Sequence, residues 1–533
     1  MLLLFSVSLS IIGTQASKKL LHQAMQRVLH APMFFFDTTP LGRVVNRFAK
    51  DIDIMDNNLT DTMRIASMTL AMVFSVFILI IAYYYYFAAA LGPLLVIYIT
   101  AAAFYGASAK ELKRHEAVLR SVVFARFNEA VYGTATIRAY GADEQYVNRL
   151  NNAIDNMDSA YYLTFANQRW LSVRLDAVGI IMSFVTGILV VTSRFNVSPS
   201  ISGLVLTYLL AVVQMLQFTV RQAADVENHM NSTERIQHYG TQVEQEAPVH
   251  TFDVPKEWPN KGEIVFDRTC MRYRPHLPLV LDSLNLHIKP GERIGIVGRT
   301  GAGKSSVITA LFRLVELSEG SIHIDGIDIS TVGLYDLRSR MSIIPQDPTL
   351  FGGTVRSNLD PFNTHTDLEL WSALRQAHLI DQNSDDTRDG TQAQISLETP
   401  VEDEGLNFSL GQRQLMALAR ALVRNSQIIV CDEATSSIDF ETDSKIQQAI
   451  IDGFEGKTLL CIAHRLKTII GYDRICVIDH GKVAEMDTPL TLFDAGGMFR
   501  GMCDESSISR EIIEAAGHHV LSVDAESEEK RDM

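Results

Sequence analysis

Gly298-Arg299-Thr300-Gly301-Ala302-Gly303-Lys304-Ser305 follows the apolar run Arg293-Ile294-Gly295-Ile296-Val297 and precedes the helix-patterned Val307-Ile308-Thr309-Ala310-Leu311-Phe312. That order is a strand, a glycine-rich turn and a helix start. Glycines let the backbone turn tightly with its N–H groups aimed inward, and a helix N-terminus adds its dipole. The stretch is therefore a cradle for polyphosphate oxygens, with Gly298, Thr300, Gly301, Ala302, Gly303 and Ser306 around it. Lys304 reaches toward the β- and γ-phosphates and Ser305 offers a hydroxyl to Mg²⁺. A plain glycine turn is the competing reading, and the flanking strand and helix weigh against it.

Downstream, Ile428-Ile429-Val430-Cys431-Asp432-Glu433 is an apolar strand ending in two carboxylates. Asp432 at the strand end suits Mg²⁺, usually through water. Glu433, one residue on, is placed to polarise an attacking water as general base. Alone the pair is a weak signal; beside the glycine-rich loop it becomes a strong one.

The 533 residues allow two to four domains, and a net charge of −15 argues against a nucleic-acid partner. All five cysteines lie in the C-terminal half, at spacings that fit no zinc pattern, and read as reduced thiols. The stretch from Ile65 to Ala109 has no charged residue, enough for two membrane helices with a turn near Tyr83 to Phe87. Residues 171 to 193 and 201 to 220 add two more candidates, and Leu2 to Ile12 reads as a truncated or tilted fifth. Lys18, Lys19, Arg27, Arg43, Arg47 and Lys50 precede the second span, and Lys110, Lys113, Arg114, Arg120 and Arg126 follow the third. The positive-inside tendency puts both clusters, and with them the glycine-rich-loop half, in the cytosol.

Two polar, helix-patterned excursions, Asp37 to Thr62 and Lys110 to about Ala160, read as arms linking that half to the membrane helices. Short contact helices are expected at Asp51 to Asp56 and at Asn128 to Gly133. Charges in the last two spans are costly at the bilayer centre and need a wet or paired setting. Arg174 and Asp176 fit structural pairing with neighbouring helices. Arg169 and Arg221, with Gln214, Gln217 and Phe218, fit a cavity for an amphipathic or anionic small-molecule substrate. The expected domains are a membrane domain over 1–238, a proline-bearing linker over 239–261, an α/β domain over 262–505 and a polar, disordered tail over 506–533, in which Arg510 to Ala516 has the pattern for one helical turn or two.

Between loop and carboxylates lies Phe408-Ser409-Leu410-Gly411-Gln412, which resembles the signature motif of ATP-binding cassette transporters, usually Leu-Ser-Gly-Gly-Gln. Other elements of that family stand in its order. Tyr273 matches the aromatic that stacks on adenine, and Gln346 in Ile344-Pro345-Gln346-Asp347 matches the Q-loop. Ser437-Ile438-Asp439 matches the D-loop, and His464 the switch histidine. Asp37-Thr38-Thr39-Pro40-Leu41-Gly42-Arg43 and Asn167-Gln168-Arg169-Trp170 resemble the second half of the multidrug-resistance-associated (C) subfamily. Phe408 to Leu415 and Cys461 to Thr468 resemble its fungal oligomycin-resistance members.

The resemblance implies a polytopic α-helical membrane domain of the exporter type followed by an α/β P-loop ATPase domain. Glu433, His464, Gln346 and Lys304 would be catalytic, Ser305, Gln346 and Asp432 would hold Mg²⁺, and Ser409, Gly411 and Gln412 would meet ATP bound to a partner cassette. Leu410 departs from the usual glycine, in keeping with a subfamily whose second-half signature serves the poorly hydrolysing site. Against the family's full chain, a first membrane helix, an upstream membrane domain and a first cassette are not in this sequence. An ATP-driven exporter half, in contact with membrane lipid and paired with a second half, is the leading expectation, at the plasma or the vacuolar membrane. The alternatives are a channel or channel regulator of the subfamily and an incomplete gene product without activity of its own. A soluble chromosome-maintenance ATPase is opposed by the uncharged stretch.

Overall fold

A computed structural model describes residues 2–192, 197–251, 254–380, 395–433, 440–463 and 465–516. The chain divides into two compact units, Met1–Ala31 with Thr39–Glu244, and Pro32–Thr38 with Gln245–Met533.

The first unit is helical: α1 Leu2–Leu29, then, past a short α2 (Met33–Thr38) that groups with the second unit, α3 Leu41–Asn46, α4 Thr60–Tyr83, α5 Phe87–Tyr132, α6 Thr134–Tyr140, α7 Asp143–Thr192 and α8 Pro199–Thr241. Two π-helical segments, Arg47–Asp51 and Ile54–Leu59, join α3 to α4, so Leu41–Tyr83 runs as one helix of 43 residues. Among the described residues, four helices are long and apolar enough to cross a membrane: Leu41–Tyr83, Phe87–Tyr132, Asp143–Thr192 and Pro199–Thr241. The fifth expected span, α1, is a helix of 28 residues but lacks that composition, because its apolar run ends at Ile12 and Lys18-Lys19 follow.

The aromatic turn falls at Tyr84–Tyr86, between α4 and α5. Tyr84 and Phe87 are buried there, and the Tyr84 hydroxyl lies 2.8 Å from Ser202 Oγ of α8. Val76, Phe77 and Ile80 of α4 pack with Met182 of α7 and with Leu209 and Val212 of α8.

The contact helices differ from expectation. Asp51 to Asp56 is part of the long helical run, and Asn128 to Tyr132 is the end of α5. The short helices are instead α2, flanked by Pro32 and Pro40, and α6, flanked by Gly133 and Gly141. Helix periodicity continued through the polar segments, so the breaks came at proline and glycine and not at the loss of hydrophobicity.

In the second unit the strands are β1 Ile264–Met271, β2 Leu281–Ile288, β3 Arg293–Val297, β4 Glu319–Ile324, β5 Ile327–Asp328, β6 Met341–Ile344, β7 Gly353–Thr354, β8 Pro400–Val401, β9 Ile428–Asp432, β10 Thr458–Ile462, β11 Arg474–Asp479 and β12 Lys482–Asp487. The helices are α9 Lys304–Leu311, α10 Leu334–Arg338, α11 Val355–Leu359, α12 Asp367–Gln376, α13 Leu410–Arg424, α14 Phe440–Gly453, α15 Pro489–Ala495 and α16 Met498–Glu505. A six-stranded sheet runs in the order β12-β11-β3-β10-β9-β6, parallel except at the β11/β12 edge. A second, antiparallel sheet runs β2-β1-β4-β5. The parallel strands read as unbroken apolar runs because both faces are covered. Ile294, Ile296, Val430 and Leu460 enter one core; Val297, Ile429, Cys431 and Leu459 enter the other.

The proline-bearing segment after α8 has the composition of a free linker but is fastened to this unit. Arg338 Nη1 donates to Glu246 Oε2 at 2.8 Å, and the Leu334 N–H donates to the Pro248 carbonyl at 3.2 Å. Trp258 is buried in the core, and its Nε1 donates to the Ile324 carbonyl at 2.9 Å. At the far end, residues 510–516 are helical, as the reading of Arg510 to Ala516 as a helical turn or two allowed, and Ile508 and Ile513 are buried in the core, where a disordered tail was expected. The remainder of the expected tail, 517–533, lies outside the described residues.

Candidate functional site

The site is built where β3 hands over to α9. Gly298 leaves the strand at φ 154°, and a Cβ there would sit 2.2 Å from the Ile478 carbonyl oxygen. Gly303 caps α9 at φ 103°, where a Cβ would lie 2.9 Å from the Val280 carbonyl. Only glycine fits these two positions, and together they curl the backbone between them.

Lys304, the first residue of α9, is buried. Its Nζ donates to the carbonyls of Gly298 at 2.8 Å and Arg299 at 3.3 Å, so the ammonium sits within the curl of the loop. Burial pushes its pKa below the ordinary lysine range, opposed by the carboxylates of Glu433 and Asp432. Ser305 Oγ donates to Asp432 Oδ1 at 3.3 Å. The Asp432 carboxyl is pushed up by burial first and by the charge of Glu433 second, against the Ser305 hydrogen bond and Lys304. A half-buried carboxylate pair with one hydroxyl and one lysine is short of positive charge, and that fits a hard, oxygen-seeking divalent cation.

Sheet register brings the other groups to the same edge. Asp432 aligns with Ile462 of β10, and Cys431 aligns with Ile344 of β6. Gln346, two residues past Ile344, therefore leaves the sheet at the end where Asp432 and Glu433 leave it, with its side chain exposed. Glu433 holds φ 47°, and its N–H donates to the Ile462 carbonyl at 3.0 Å. A non-glycine residue in the left-handed region is uncommon, and such residues concentrate at functional sites. Tyr273, on the turn after β1, packs its ring against the core and places its hydroxyl 3.0 Å from Ser306 Oγ.

Ser409, Gly411 and Gln412 stand at the start of α13. Ser409 Oγ accepts from the Gln412 N–H at 3.2 Å, and Gln412 Oε1 accepts from the Ser409 N–H at 2.9 Å, a reciprocal cap. Among the described residues they share no hydrogen bond with the glycine-rich loop. His464 and Ser437-Ile438-Asp439 lie outside the described residues. Two residues the sequence reading did not single out, Gln414 and Arg420, bond the carbonyls that follow β6. The signal for Gln414 was a polar residue on the buried stripe of α13.

In the membrane unit, Gln214, Phe218 and Arg221 share the face of α8 opposite its buried stripe of Leu209, Val212, Leu216, Thr219 and Val220. Arg169 is exposed on α7. Gln217 is not free to meet a substrate in the same way: its amide donates to Asp176 of α7, and Arg174 stacks over Trp170 of its own helix at 4.9 Å. An apolar cavity of about 260 Å³ lies among Phe77, Leu94, Tyr98, Val178, Met182 and Leu216, and none of the five expected substrate residues lines it.

Residues 1–217 match the family described as ABC transporter transmembrane region, and residues 281–436 the one described as ABC transporter. The ABC-type transporter cicA of Emericella nidulans is 63% identical over 521 residues, covering 96% of this chain and 37% of that protein. The oligomycin resistance ATP-dependent permease YOR1 of Saccharomyces cerevisiae is 47% identical, covering 93% of this chain and 34% of that one. ATP-binding cassette sub-family C member 3 of Mus musculus is 40% identical, covering 96% and 33%. The chain thus spans about a third of the length of the curated relatives it matches. A solved bacterial Atm1-family ABC exporter with ATP bound superposes at TM-score 0.80 over 95% of this chain and 87% of that one, at 23% identity, a likeness of fold. The chain is a multi-pass membrane protein with an ATP-binding domain, and it belongs to the ABC transporters, with relatives in the C subfamily and its fungal members.

Proposed function

We propose that this chain is the ATP-hydrolysing half of an exporter that moves amphipathic compounds, anionic ones included, out of the cytosol. The observation that carries the reading is Ser305 Oγ at 3.3 Å from Asp432, beside the buried Lys304. Mg²⁺ bound with ATP supplies charge neutralisation of the phosphates; Ser305, Asp432 and Gln346 would hold it. Lys304 orients the β- and γ-phosphates, the Gly298–Ser306 backbone binds their oxygens, and Tyr273 bounds the base. Glu433, fixed by its backbone bond to Ile462, takes a proton from the attacking water. His464 would complete the site, and Ser409, Gly411 and Gln412 would serve ATP held by a second cassette.

The basic clusters beside the spans support a cytosolic cassette. Gln214 and Phe218, exposed on α8, with the half-buried Arg221 and with Arg169 of α7, would face the substrate. In a complete transporter carrying this sequence, Glu433→Gln should retain ATP binding and lower turnover by about 10²–10⁴-fold. Unchanged ATPase activity in that variant would overturn the assignment of Glu433 as base, and loss of ATP binding would overturn the site.

A further inference from the structure

Gln414 is 2% exposed, on a helix face it shares with the buried Ala417, Leu418 and Ala421. Its Nε2 donates to the backbone carbonyls of Pro345, at 3.2 Å, and of Gln346. Its Oε1 is buried and has no hydrogen-bond partner among the described residues, so the donors hold the side chain. Further along the same helix, Arg420 donates from Nε to the Asn358 carbonyl and from Nη1 to the Thr349 carbonyl, both at 2.8 Å. Its guanidinium also lies 5.7 Å from the ring centroid of Phe351. Helix α13 thus grips the segment from Pro345 to Asn358 at two points, each time through main-chain oxygens.

The consequence is a division of labour within Gln346. Its backbone is tied to α13, while its side chain is exposed and, among the described residues, makes no hydrogen bond that would hold it back from a ligand at the sheet edge. Ser409, five residues before Gln414 and about 7.5 Å along the helix axis, closes the first turn of α13 with Gln412. We infer that Gln414 is a positioning residue that couples the ATP site of this chain to the signature turn it presents to a partner cassette. When Gln346 shifts toward bound Mg-ATP, its carbonyl and that of Pro345 draw Gln414, and the N-terminal turn of α13 moves with it. The inference rests on the reading of Gly298–Ser306 as an ATP site.

The test is hydrogen exchange on the purified full chain in lipid nanodiscs, with and without Mg-ATP. In the wild type, Mg-ATP should slow exchange of amides 298–306 and change exchange of amides 410–413 several-fold. Gln414→Met, which keeps the length and removes the donors, should retain the first response and lose the second. Gln346→Ala, a change at an exposed side chain, should also lose the response at 410–413, and decides the matter if Gln414→Met fails to fold. A wild type that responds at 298–306 and not at 410–413 overturns the coupling, as does either variant that keeps both responses. A wild type without protection at 298–306 removes the ATP-site reading, and the coupling falls with it.

Discussion

The hydroxyl of Ser305 lies 3.3 Å from the carboxylate of Asp432, although 127 positions separate the two in sequence. One lies in the first turn of α9 and the other ends β9, and the parallel sheet joins them across β3, β10 and β9. The contact sets a hydroxyl and a carboxylate side by side at the C-terminal edge of the sheet, where ligands of open α/β folds bind.

Burial and the neighbouring Glu433 push the Asp432 carboxyl above its ordinary value of 3.8. A group with a raised folded-state pKa binds its proton more tightly folded than unfolded, so its contribution to stability falls as pH rises from the unfolded value through the folded one. Asp432→Asn removes that cost. Without nucleotide, the variant should melt at a higher temperature than the wild type at pH 7.5, and the gain should shrink toward pH 4. Its Mg²⁺-dependent ATP affinity should drop at least about tenfold, the worth of one lost charged contact. A variant that melts lower at pH 7.5 would refute the burial argument.

Gly298→Ala drives a methyl to 2.2 Å from the Ile478 carbonyl at a φ of 154°. Backbone cannot give way as a flexible side chain does, so the cost should be about 2–4 kcal/mol, with ATP binding lost. Gly301→Ala meets no atom within 4 Å and should lose less, through its φ of 83° alone. Thermal melts of the two variants compare them directly.

In the membrane unit, the carboxylate of Asp51, only 3% exposed, accepts from Arg235 Nε at 2.9 Å and from Arg47 Nη1 at 3.0 Å. Arg235→Met leaves that carboxylate with Arg47 alone. The loss should be about 2 kcal/mol, below the value for a fully buried pair, because the Arg235 side chain is 40% exposed. Asp51→Asn with Arg235→Met should recover part of it, read as melting temperature in nanodiscs.

Trp258 anchors the segment between the last membrane helix and the cassette strands. Trp258→Ala removes a side chain that is 5% exposed together with its bond to the Ile324 carbonyl, and should cost about 3–5 kcal/mol. Trp258→Phe keeps most of the packing and leaves the carbonyl without that donor, a loss of about 1–2 kcal/mol. If both variants melt like the wild type, the segment is a tether and not part of the core.

The sequence by itself determined the kind of each unit. Local spacing is enough for that: the loop from Gly298 to Ser305 needs its glycines adjacent to a strand and a helix, and the uncharged run from Ile65 to Ala109 needs no partner to be recognised as membrane-spanning. Ser305, Asp432 and Glu433 were legible for the same reason, since each sits at the end of a strongly patterned element. What only the tertiary structure decided concerns contacts between distant segments. The polar run Asp51 to Asp56 reads as a separate contact helix until Arg235 neutralises Asp51 inside a continuous one. Proline-rich composition reads as linker until Trp258 finds the Ile324 carbonyl. Gln414 reads as one more glutamine of a motif until the carbonyls after β6 meet its amide. Periodicity records which face of an element is apolar, while the partner that satisfies a buried polar group is set by chain topology and lies outside any local window.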